Sequence, residues 1–407
     1  MNKIKKFVKE NKFIVFLFLF SFIIRLITII VVDTPIISDF KMMYDASLEL
    51  INGTTNYREF SYFLLWGYQM GHVVYQAIFL FFINSVFFLK LINCIVTSFT
   101  VVFIYKICRK ICSENSSKVA AILYSVFLFP LLLNTVLSNQ QLPMLLILIA
   151  VYKLLEIDYD NFINKSIVVG VLLGASNILR SETIVIICAI FLYSLYLIIL
   201  KYDYRKVFSS FLIIFLTYSL VFNGCSCVLR ISGISPSGLD NNNSMWKFVQ
   251  GFNYETSGMY SSDDASLYSG DKDASKNEFL NRVSEVEKIP MLFLKKIKIL
   301  WFNSDLTWSI DNLNGTLIFK ILNIINQLFI ISFNILAFGS LYEFIKKKFS
   351  KEQVLITLIL VVYFGVYLLI EVMPRYAYSL QIFEAILIGI SIDYISKFIR
   401  KVHKKEE

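Results

Sequence analysis

Residues 38–53 read SDFKMMYDASLELING. This is the first polar stretch after the first long apolar run, and an acid, Asp39, stands at its head. Phe40, Met43, Ser47, Leu50 and Ile51 recur at helical spacing, with Asp39, Asp45, Glu49 and Asn52 between them. The spacing predicts a short amphipathic helix lying on a membrane surface, with Ser38 as its N-cap. An acid in the first turn is favoured there by the helix dipole, by about 0.3–1 kcal/mol.

The surrounding chain of 407 residues is 57% hydrophobic and 16% aromatic, with a mean hydropathy of +0.65. Such a composition excludes a soluble or a disordered protein. Apolar runs long enough to cross a bilayer recur along its length, so the fold expected is an all-α polytopic membrane protein. The formal net charge of +9 arises largely from Lys and Arg clustered at the ends of these runs. That is a topology signal, and nucleic-acid binding is not expected. The six cysteines match no zinc spacing or disulfide framework, and two histidines are too few for an imidazole metal centre.

Following the basic clusters gives about ten spans with both termini cytoplasmic. They are 13–32, 86–107, 118–135, 141–157, 167–179, 183–200, 207–224, 317–342, 353–370 and 377–395. The first is read as an uncleaved span behind five lysines. The apolar stretch 62–83 is interrupted by Gln69, His72 and Gln76, which suits an interfacial or re-entrant helix in the first outer loop. The chain then divides into a transmembrane module, 1–224, with its first outer loop at 33–84, a large extracytoplasmic loop at 225–316, and C-terminal helices with a basic tail at 317–407. The loop is far longer than ordinary connections and is expected to be functional. Its Tyr-, Ser- and Asp-rich part, 255–278, is a candidate mobile region. Its closing run, IPMLFLKKIKILWF, reads as another interfacial helix whose Lys295, Lys296 and Lys298 meet lipid headgroups.

Charges in lipid are costly, so those near the outer membrane face carry information. Arg25 lies about 10 Å below the outer end of the first span, at ~1.5 Å per residue. Lys90 opens the second span, Arg180 and Glu182 form a tight outer turn, and Glu371 and Arg375 flank the last one. Each has a structural explanation: snorkelling for Arg25, a local ion pair for Arg180–Glu182, a dipole contact for Asp39. Their shared depth points to a basic pocket for a lipid phosphate with an acid beside it as general base. His72 is read as structural. Trp246, Tyr254 and Tyr260 are weaker candidates for stacking on sugar rings.

The order of these elements resembles the glycosyltransferase-C superfamily. The residues concerned are Arg25, then Asp39, Tyr44, Ala46, Leu50 and Gly53 in the outer helix, Lys90 in LKLIN, Arg180 in GASNILRSE, and Arg375-Tyr376 in EVMPRYAYSL. The resemblance is closest to enzymes that use a polyprenyl-phosphate-linked sugar, such as protein O-mannosyltransferases and aminoarabinose transferases. It departs from them at Phe40, where many relatives carry a second acid, and at WGYQMG, which replaces a Pro-Pro element. The resemblance implies inverting transfer of a hexosyl or pentosyl group from that donor to an acceptor hydroxyl on a glycan, protein or lipid at the outer membrane face. Asp39 would be the catalytic base, and Arg25, Lys90, Arg180 and Arg375 would bind the donor phosphate. Tyr44, Glu182, Glu371 and Tyr376 would contact substrate. No cofactor or metal is expected, because only Asp33, Asp39 and Glu182 offer ligands. A Lys-, Ile- and Asn-rich composition suits the cell membrane of a low-GC bacterium. The alternatives are an envelope polysaccharide polymerase and a flippase for lipid-linked glycans; nearly charge-free mid-spans at 119–135 and 183–200 count against transport.

Overall fold

A computed structural model describes residues 11–303, 305–346 and 349–406. The topology signals Lys3, Lys5, Lys6, Lys9, Lys347 and Lys348 lie outside them. Among the described residues the regular elements are helical, with one isolated bridge between Trp66 and Asn241. Leaving one-turn pieces unlabelled, the helices are α1 (Lys12–Val31), α2 (Ser38–Ile51), α3 (Met70–Phe82), α4 (Val86–Ile111), α5 (Glu114–Val126), α6 (Gln141–Leu154), α7 (Ile163–Leu179) and α8 (Thr183–Ile199). After α9 (Tyr204–Ile231) come the short helices α10 (Trp246–Gly251), α11 (Ser262–Tyr268), α12 (Lys272–Ser284) and α13 (Ile289–Ile297). The chain closes with α14 (Leu317–Lys346), α15 (Lys351–Leu369) and α16 (Ala377–Glu406).

Five of these, α1, α4, α9, α14 and α15, are long and apolar enough to cross a membrane. A sixth crossing would be α5 with the segment Leu128–Thr135, which follows at a bend of 55°. Pro130 explains the break: it lacks the N–H that would bond the Val126 carbonyl, and its ring would clash there. Helices α6, α7 and α8 are apolar but shorter. Each of the ten predicted apolar runs therefore coincides with a helix or bent pair, while five or six satisfy the length of a full crossing.

The segment between α1 and α4 is built as an amphipathic platform. Helix α2 buries Phe40, Met43, Ala46 and Ser47 against α3, and the Ser47 hydroxyl lies 3.0 Å from the Val73 carbonyl. Ser38 is not the N-cap. Ile37 occupies that position without a side-chain cap, and Ser38 adopts φ +57, a left-handed conformation that costs a non-glycine residue about 1 kcal/mol. The stretch 62–83 is one short helix, a break at Trp66–Gln69, and the 13 residues of α3. Gly71 lets α3 close on the outer end of α7, because a Cβ there would overlap the Ile178 carbonyl.

The long segment between α9 and α14 is folded. Its Tyr-, Ser- and Asp-rich part forms α11 and α12, held by Arg282, which donates to both oxygens of Asp264 at 2.8 Å and to Glu278 at 2.7 Å. Asn253 donates to Asp264 as well, at 2.8 Å. Helix α13 leaves Lys295 and Lys298 exposed, as its amphipathic pattern predicts. Lys296 differs: it is fully buried, because it points to the carbonyl end of α15 instead of to headgroups.

The contact at Gly71 gives a test of this platform. Gly71→Ala should force α3 off α7 and lower stability by about 2–3 kcal/mol, measured by thermal unfolding in detergent. An unchanged unfolding temperature would show that the platform is not seated this way.

Candidate functional site

Two distant parts of the chain meet at Asp39. Helix α2 delivers the carboxylate, and the turn between α15 and α16 delivers Arg375, whose Nη2 lies 3.4 Å from Asp39 Oδ2. Asp39 Oδ1 and Arg375 Nη1 are both buried without a protein partner. The guanidinium is flanked by rings: Trp308 at 4.2 Å and Phe40 at 5.0 Å to the ring centroids. Phe40 and Trp308 themselves meet edge to face at 5.8 Å. The residue that replaces a second acid thus forms one wall of the Arg375 site. Gln140 fixes the turn from behind by donating to the Arg375 carbonyl at 3.1 Å.

Arg180 also lies beside Tyr376, whose ring is 5.6 Å from its guanidinium and 6.0 Å from that of Arg375. It is ion-paired with Glu182 and donates to Asn139 Oδ1 at 2.6 Å. Asn139 in turn donates to Gln69 at 2.9 Å, and Ser379 donates to Glu182 at 2.9 Å. Glu371 is buried and ion-paired with Lys247 of α10. Burial works against the Lys247 charge, but Glu371 outweighs it and raises the Lys247 pKa. Tyr62 lies among Asp39, Tyr68, Arg375 and Tyr376; burial, reinforced by the Asp39 charge, pushes its phenol well above the usual range.

Of the residues singled out in the sequence, the structure brings together Asp39, Arg180, Glu182, Glu371, Arg375 and Tyr376. Lys90, on α4, donates instead to the Thr34 carbonyl at 3.2 Å and faces the charge of Asp33. Arg25 is elsewhere. It is fully buried within the helices, bonded to Ser21 on its own helix at 2.5 Å and surrounded by Tyr124, Tyr378 and Cys94. Tyr44 packs beside an apolar cluster of Leu80, Leu89 and Leu137. His72 is buried beside Arg180 with Nε2 unpartnered. Trp246 is buried, and Tyr254 is bonded to the Arg282 carbonyl at 2.6 Å, while Tyr260 is exposed.

The expected basic pocket is electrostatically different from its sequence pattern. Arg375 faces Asp39, Arg180 faces Glu182, Lys247 faces Glu371 and Lys90 faces Asp33. Charge at this face is paired because an uncompensated buried cation is expensive. The pair at Asp39 is the loosest of the three ion pairs and the one with a free donor and a free acceptor. Among the described residues no three or more His, Cys, Asp or Glu come together as a metal-binding group.

A profile of the dolichyl-phosphate-mannose-protein mannosyltransferase family matches residues 70–230. That range holds Lys90, Arg180 and Glu182 and leaves Asp39 and Arg375 outside it. Three solved structures of the oligosaccharyltransferase from the archaeon Archaeoglobus fulgidus share the fold. One, named AglB and in complex with an inhibitory peptide and a dolichol-phosphate, is 12% identical with a TM-score of 0.58, covering 98% of this chain and 52% of its own. Another, tethered to an acceptor peptide containing the NVT sequon, is 13% identical with a TM-score of 0.59, covering 97% and 51%. The apo form is 11% identical at 0.59, covering 97% and 52%. The chain thus spans about half the length of the structures it matches. No curated protein matches its sequence. The resemblance to the glycosyltransferase-C superfamily is borne out: the chain has that membrane fold, and a mannosyltransferase profile matches part of it.

Glu182 is tied to two neighbours, Arg180 and Ser379, and Asp39 to one, so their removal should differ. Glu182→Gln is expected to cost about 2–3 kcal/mol by leaving Arg180 uncompensated, and Asp39→Asn less than about 1 kcal/mol. Chemical or thermal unfolding of the two variants measures this, and equal losses would contradict it.

Proposed function

We propose that this chain is a glycosyltransferase that moves a sugar from a polyprenyl-phosphate-linked donor to an acceptor hydroxyl at the outer face of a bacterial cell membrane. The ten helical runs then act as membrane spans with both termini cytoplasmic. The observation that carries the reading is the Asp39–Arg375 pair, in which Asp39 Oδ1 and Arg375 Nη1 are each buried and unpartnered. A carboxylate oxygen accepts a proton; a guanidinium N–H binds a phosphate oxygen. Few pairings place both functions at one point.

In the proposed reaction Arg375 holds Asp39 with Nη2 and receives the donor phosphate at Nη1. Arg180, which also lies beside Tyr376, and Lys90 contribute further positive charge. The aromatic walls Trp308, Phe40, Tyr62 and Tyr376 exclude water and offer faces to a sugar ring. The acceptor hydroxyl oxygen attacks the anomeric carbon while Asp39 removes its proton. The bond from that carbon to the phosphate oxygen breaks, its electron pair leaves with the polyprenyl phosphate, and the configuration inverts. Charge growing on the leaving phosphate is offset by the guanidinium groups, an electrostatic contribution that is usually the largest in such sites. Glu182 and Glu371 serve here by holding Arg180 and Lys247, and Arg25 is left out of the phosphate set because it is enclosed elsewhere.

The test is transfer in proteoliposomes supplied with a series of polyprenyl-phosphate sugars and, in parallel, polyprenyl-diphosphate oligosaccharides. Asp39→Asn should lower transfer from the monophosphate donors about 10²–10⁴-fold while binding of the donor persists. Unchanged turnover in Asp39→Asn would refute the base assignment. Turnover of the diphosphate oligosaccharides alone would favour a polysaccharide polymerase.

A further inference from the structure

The turn that carries Arg375, residues 370–376, has few bonds of its own, and an arginine on such a turn would otherwise sample many positions. Its outer side is occupied by the long extracytoplasmic segment. The backbone N–H of Glu371 donates to the Lys247 carbonyl at 2.8 Å, and that of Val372 donates to the Gly258 carbonyl at 2.8 Å. The Glu371 carboxylate is ion-paired with the Lys247 ammonium. Gly251 brings α10 into backbone contact with the turn, since a Cβ there would meet the Ile370 main chain.

Lys296 closes the arrangement from below. Its ammonium is fully buried and donates to the carbonyls of Leu368 at 2.7 Å, Ile370 at 2.7 Å and Gly251 at 3.0 Å. Two of these acceptors are at the end of α15, where the helix dipole favours a cation, and the third ends α10. One side chain therefore ties α10, α13 and the start of the turn together, and three donors meet three acceptors. Four hydrogen bonds and an ion pair join the segment 247–296 to residues 368–372, within a few residues of Arg375, and a fifth bond, from Lys296 to Gly251, ties the segment to itself.

We propose that Lys247 and Lys296 are positioning residues: through them the extracytoplasmic segment sets the 370–376 turn and so holds the Arg375 guanidinium in register with Asp39. This rests on the reading of Arg375 as the phosphate-binding residue. The long segment is then part of the donor site by action at one remove, without touching the donor.

The experiment measures binding of farnesyl phosphate, a short polyprenyl monophosphate, to the full chain in detergent. Wild type, Arg375→Ala, Lys247→Met and the Lys247→Met/Arg375→Ala double variant are compared. Lys247 keeps 33% of its side chain exposed where Lys296 is fully buried, so its variant should fold even if Lys296→Met does not. Arg375→Ala should weaken binding about 10- to 100-fold, and Lys247→Met should weaken it about tenfold with Arg375 intact. The double variant should bind like Arg375→Ala alone, because Lys247 acts only through Arg375. The charge swap Lys247→Glu with Glu371→Lys should recover part of the loss. In hydrogen exchange the amides of Glu371 and Val372 should be protected in wild type and exchange faster in Lys247→Met. Additive losses, or wild-type binding by Lys247→Met beside a weakened Arg375→Ala, would overturn the positioning role while leaving the phosphate assignment standing. Unchanged binding by Arg375→Ala would overturn both.

Discussion

A guanidinium at the edge of a membrane must find an anion and a surface, and Arg375 finds both in parts of the chain far from its own. Asp39 supplies the charge from α2, and Trp308 and Phe40 supply the faces on which the planar cation rests. The segment between α1 and α4, the chain just before α14 and the turn before α16 must each be in place for this single contact. Seating α3 on α7 through Gly71, fixing the Arg375 carbonyl by Gln140, and clamping the turn by Lys247 and Lys296 all serve that convergence.

The pairing of charges changes how a phosphate would be recognised here. A surplus of cations attracts any anion, whereas neutralised pairs select a ligand that makes better bonds than the resident carboxylate. Arg180 and Lys247 are held closely by Glu182 and Glu371. Arg375 is held at 3.4 Å and keeps one donor free, so it is the cation with the least to lose by engaging a new anion. In the proposed reaction, proximity of that anion to Asp39 would also set the geometry of proton removal, since one guanidinium would orient both.

The helices were legible in the sequence because hydrophobic runs and basic flanks are local signals; each run from 13–32 to 377–395 lies on a helix or bent pair. Crossing length was less legible, since α6, α7 and α8 pack beside neighbours without needing the length of an isolated span. Asp39, Arg180 and Arg375 could be singled out because charges near apolar runs are rare. Trp308 could not: in a chain 16% aromatic, nothing local separates a ring that supports an arginine from one that faces lipid. Lys296 was read as a headgroup lysine with Lys295 and Lys298, because one turn of an amphipathic helix carries all three and only tertiary packing distinguishes the buried one. Arg25 shows the opposite error. Its place in α1 does not say which way it points, and it is enclosed among Ser21, Tyr124 and Tyr378.

The most direct measurement is a structure of the full chain with a polyprenyl phosphate bound. The account predicts the phosphate within hydrogen-bonding distance of Arg375 Nη1, with Asp39 across the position of the anomeric carbon and Tyr376 beside both arginines. A phosphate bound at Arg25, or at the cytoplasmic ends of the helices with the Asp39–Arg375 pair undisturbed, would contradict it.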